Sequence, residues 1–100
     1  MINITINESK AEEYILSKLS ETTLVKYKNI VMFKNSDNEA LFMYNHNNNI
    51  LRIHRELITI ILTYHFKLYD IEMDNLLKSI FKLHFKITLK EIIYDMRPIW

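Results

Sequence analysis

The sequence predicts an α+β fold: a small, mostly antiparallel sheet of three to four strands, with one N-terminal helix and two to three C-terminal helices packed on one face. Three observations carry this reading. Short runs rich in β-branched and aromatic residues, separated by asparagine-rich turns, occupy residues 24–54. From Leu57 onward apolar residues recur at helical spacing instead. The chain has 100 residues, 49% apolar and 25% charged, which suits a single domain (1–100) with a modest core.

Taken in order, Ile2 to Ile6 alternates apolar and polar residues and is predicted as a strand. Ser9 and Glu12 stand in capping-box relation, so a helix is expected from Lys10 to Ser20. Ala11, Ile15 and Leu19 form its buried face, and Leu16 widens it. Leu24 to Phe33 and Ala40 to Asn45 are predicted as a hairpin around the turn residues Asn35 to Asn38. After His46 to Asn49, Ile50 to His54 adds a third strand, and the N-terminal strand is a candidate fourth.

From Arg55 the stripe Leu57, Ile60, Ile61, Tyr64 and Leu68 predicts a helix, with Ile58 and Leu62 thickening it. Asp74 is expected to cap the next helix, whose apolar side collects Leu77, Ile80, Phe81, Leu83, His84, Phe85 and Ile87. Lys78, Lys82 and Lys86 fall on the other side. The phase breaks near Ile87. Thr88 and Glu91 then form a second capping box, predicting a short helix with Leu89, Ile92, Ile93 and Met96 on one face and Pro98 at its end.

Glycine is absent. Phosphate-cradling loops, dinucleotide folds and nucleophile elbows need it for positive φ and close main-chain approach, so those enzyme architectures are not expected. Cysteine is absent too, which removes disulfides and thiolate metal sites and fits a reducing, cytoplasmic compartment. The net charge of +1 gives no bulk drive toward nucleic acid or membrane. The N-terminus has no signal-peptide pattern, and the apolar run from Leu57 to Phe66 is about half a membrane span. The abundance of Ile, Lys and Asn, against few Ala and Pro, points to AT-rich coding such as many phages and plasmids have.

The histidines His46, His54, His65 and His84 have no metal-binding i, i+4 spacing. Arg52 to Glu56 reads as a salt-bridge corner. No nucleophile–base pair stands out, so neither a catalytic site nor a metal or cofactor is expected. Aromatic side chains exceed the evident needs of the core, and surplus apolar area on a small domain marks a partner surface. The function expected from sequence is therefore non-enzymatic protein binding by a small phage- or plasmid-encoded accessory or inhibitor protein, with a homodimer as the first partner. Phe66, Tyr69 and Trp100 are its candidate contacts, and Arg52 and Arg55 would steer orientation.

The alternative is a nucleic-acid-binding regulator with a helix-turn-helix-like C-terminal unit, using Lys82, Lys86, Lys90, Tyr94 and Arg97. Against it, lysines replace the small residue and the glycine of the usual turn, and Glu91 and Asp95 repel phosphate. A solvated face is the commoner meaning of such a lysine ladder.

Overall fold

The computed structural model describes the backbone of residues 2–96 and the side chains of residues 8–94. Helix α1 (Ile2–Ser20) leads into strands β1 (Thr23–Tyr27), β2 (Ile30–Lys34), β3 (Ala40–Asn45) and β4 (Ile50–His54). Two π-helical turns follow, Arg55–Thr59 and Ile61–His65, then helix α2 (Asp70–Phe85) and strand β5 (Glu91–Met96). The fold is α+β, as predicted. The sheet has five strands in the order β1-β2-β3-β4-β5. Neighbours from β1 to β4 are antiparallel, whereas β5 lies parallel to β4, with the π-helical segment and α2 as its crossover.

Several expectations are corrected, among them the capping of α2, whose N-cap is Tyr69 and which holds Asp74 inside it. Residues 2–6 extend α1 instead of forming a strand. An alternation of five residues discriminates poorly, and positions 4, 11 and 15 are also spaced to share one helical face. Leu24 to Phe33 is two strands joined by Lys28 and Asn29. The segment after Ile87 is β5, not a helix, so the sheet gains a mixed edge and the helix-turn-helix unit is not formed. Finally, the buried residues of the π-helical segment are Ile58 and Leu62, while Tyr64 is exposed. Its Ile60 and Phe66 amides bond back five residues, to Arg55 and Ile61. This winding is wider than an α-helix, so the 3.6-residue stripe drifts off the core.

Main-chain geometry explains how a chain without glycine turns. Lys28, Asn38, Asn49, Lys67 and Lys86 all take positive φ, between 53° and 65°. Asparagine tolerates this region because its short side chain bonds locally; lysine accepts the Cβ penalty. The asparagines also close the loops. Asn35 Oδ1 accepts from the amides of Asp37 and Glu39, Asn45 Oδ1 from Asn47, and Asn48 Oδ1 from Ile50.

The core lies between the helices and one face of the sheet. Ala11, Ile15 and Leu19 of α1 are buried as expected. From α2 come Met73, Leu77, Ile80 and Phe81. Leu83 and His84, expected on the apolar side, are exposed, Leu83 at 72%. The helix spends its apolar side on Phe33 and Phe42, which pair across β2 and β3 and meet Phe81 at ring separations of 5.9 and 6.0 Å. No described helix is long and apolar enough to cross a membrane.

Candidate functional site

Strand pairing sets Val25, Met32, Met43, Arg52 and Ile93 in one row across all five strands. The next row on the same face is Tyr27, Ile30, Asn45, Ile50 and Glu91. Both rows face away from Phe33, Phe42 and Leu51, hence away from the helices. Two adjoining hollows mark this open face. One, of about 310 Å³, is lined by Tyr27, Ile30, Met32, Lys34 and Met43. The other, of about 150 Å³, is lined by Ile30, Met43, Asn45, Asn48, Ile50 and Arg52. No helical residue lines either one.

This is an apolar floor with an adaptable centre, because methionine repacks readily around different shapes. Its charges among the described side chains are mainly cationic: Lys34 and Arg52 against Glu91, with Lys28 Nζ held 5.3 Å from the Tyr27 ring centre. Sequence reasoning missed this face, although a signal for it existed. An antiparallel strand with one wet side alternates apolar and polar residues. IVMFK and ALFMY do not alternate; they are apolar on both sides.

The residues expected to bind a partner are not gathered together. Arg52 lies on the open face, and Arg55 is exposed at the start of the π-helical segment. Phe66 is half-buried against the Tyr14 ring at 5.3 Å, so it belongs to the core margin. Tyr69 is exposed at the N-terminus of α2, where its amide donates to Glu72 Oε1 at 3.2 Å. Trp100 lies outside the described residues.

The five alternative residues are scattered as well. Lys82 and Lys86 are exposed at the end of α2, and Lys90 donates its amide to the Asn49 carbonyl at 2.8 Å. Arg97 lies outside the described residues. Tyr94 points back to α2, where its hydroxyl donates to Asp74 Oδ1. Burial first, then this bond and the charges of Asp74 and Asp70, push the phenol well above its ordinary value of 10.0. The folded state thus favours the neutral phenol. Its contribution is complete below about pH 10 and is lost as pH rises further. Tyr94→Phe is expected to flatten the alkaline fall in stability, measured by denaturant unfolding across pH. Some slope remains, because burial also raises Tyr14 and Tyr44.

The salt-bridge corner expected at Arg52 to Glu56 is not formed; the ion pair found among the described residues is Lys18–Glu21 at 3.7 Å. His54 is buried instead. Its Nδ1 accepts from the amides of Glu56 and Leu57 at 3.1 and 3.3 Å, which starts the π-helical segment and places the ring proton on Nε2. Nε2 has no partner among the described residues. Those residues contain no cluster of three or more His, Asp or Glu placed to hold a metal. A polar cleft beside α1 contains Glu21 and Glu39, but these already face Lys18 and the Asn35 amide.

Comparison with protein-family models, curated proteins and solved structures gives no match.

Proposed function

We propose that the chain is a non-enzymatic protein-binding module, of the kind a small accessory or inhibitor protein provides, and that its partner docks on the open face of the sheet. One observation carries the reading: β2 and β3 are apolar on both sides, while the helices cover only one. A second protein surface supplies the missing cover. Met32, Met43, Ile30 and Tyr27 form the apolar centre, and Lys34 and Arg52 select a partner whose own apolar patch is rimmed by acids.

The test compares the wild type with a Met32→Glu, Met43→Glu double variant, each immobilised and exposed to host lysate. Both positions face away from the core, but the two glutamates stand directly opposite each other, so the variant is expected to lose about 1–2 kcal/mol of stability and its fold is checked by circular dichroism. The wild type retains a protein that the variant releases. Identical captured sets for the two chains would refute the reading. Duplex DNA serves as the opposing probe: binding that weakens steeply with added salt would favour the regulator instead.

A further inference from the structure

The open face ends at an edge that no described element covers. Strand β1 is one of the two outermost strands, and all five of its residues are exposed, Leu24 at 47% and Tyr27 at 62%. It has no proline and no bulge in its pairing with β2, and Lys26 is the one charge along it.

The direction of its main-chain groups follows from the hairpin. Tyr27 and Ile30 flank the two-residue turn and are a hydrogen-bonded pair, and pairs alternate from there. Thr23, Val25 and Tyr27 therefore bond to β2. Leu24 and Lys26 direct their amides and carbonyls outward, where no described backbone group meets them. A strand is the chemistry that satisfies such an edge.

Building on the protein-binding reading above, we infer that β1 pairs with β1 of a second copy, antiparallel, about a two-fold axis at Val25. The sequence TLVKY suits that register. The amide and carbonyl of Leu24 bond to those of Lys26 in the second copy, and the reverse pair forms by symmetry. Val25 meets Val25 as a non-hydrogen-bonded pair, with Cα atoms about 4.5 Å apart. Thr23 faces Tyr27. Leu24 lies under the aliphatic stem of the opposing Lys26, whose ammonium stays in water.

Charge and strand length together select this arrangement: a pair centred on Leu24 would leave Tyr27 without a partner in β1. A parallel pair, or an antiparallel pair centred on Lys26, sets lysine directly against lysine; the pair centred on Val25 does not. The Val25–Met32–Met43 row then runs unbroken into its counterpart, so two open faces become one docking platform.

The chain has no cysteine, so introduced thiols report the register without interference. The Val25 separation falls within the range a disulfide spans. Under mild oxidation Val25→Cys is expected to give a covalent dimer. Thr23→Cys and Tyr27→Cys should each stay uncross-linked alone and form the covalent dimer when mixed. Lys26→Pro removes an outward amide and leaves the β1–β2 bonds intact, so it should sediment as a monomer with an unchanged circular dichroism spectrum. A wild-type dimer in which Met32→Cys cross-links and Val25→Cys does not would overturn the β1 pairing while leaving the open face as a partner surface. A wild type that sediments as a monomer up to submillimolar concentration, with Val25→Cys uncross-linked, would overturn the pairing too; the lysate comparison then judges the open face independently.

Discussion

Phe81→Ala is expected to destabilise the chain by about 3–5 kcal/mol, the range for removing a fully buried aromatic ring. Phe81 is 0% exposed and contacts Phe33, Phe42 and Phe85, the last at 5.2 Å between ring centres. It joins α2 to β2 and β3, so the cavity opens where the two layers meet. Domains of this size retain about 5–15 kcal/mol in all, so the loss is a large share of the total. Urea unfolding should show a lower midpoint, with a leucine variant falling between alanine and wild type. Leu83→Ala is the control. The helical wheel puts Leu83 on the apolar side, but it is exposed, and its removal should change stability by less than about 0.5 kcal/mol. Equal losses at the two positions would contradict the orientation of α2.

His54→Leu is expected to cost about 0.5–2 kcal/mol, because the Glu56 and Leu57 amides lose their acceptor at a partly buried helix start. His54→Asn keeps a side-chain acceptor near the same amides and should recover part of the loss. Amide hydrogen exchange separates the two causes. Protection at Glu56 and Leu57 should fall sharply in the leucine variant and much less in the asparagine variant. A uniform fall across the whole chain in both variants would mean that His54 matters only for the volume it fills.

Much of the fold was legible because local chemistry and tertiary packing agreed. The Ala11, Ile15 and Leu19 face of α1 is buried, and the hairpin of β2 and β3 turns where the asparagines stand. Legibility failed where two signals competed. Thr88 and Glu91 satisfy a helix-start pattern, yet Ile92, Ile93 and Tyr94 suit a strand, and the outer edge of β4 was available to pair. Lys28 and Asn29 make a turn that sequence rules associate with glycine, so β1 and β2 read as one strand. The candidate site was hidden for a related reason. A strand apolar on both sides looks like core until it is known that only one side is covered, and that depends on where α1 and α2 pack. Of the five residues expected to meet a partner, Arg52 alone lies on the open face among those described.

The parallel union of β4 and β5 also sets an order of assembly. The meander from β1 to β4 closes through short loops between sequence neighbours, on the microsecond timescale of hairpins. β5 docks only after the π-helical segment and α2 have carried the chain back along the sheet, a distant closure whose entropy is met before any ladder bond rewards it. The slow phase of refolding should therefore track the arrival of the last strand. Until it arrives, β4 is a second bare margin, open to capture by a neighbouring molecule during concentrated refolding.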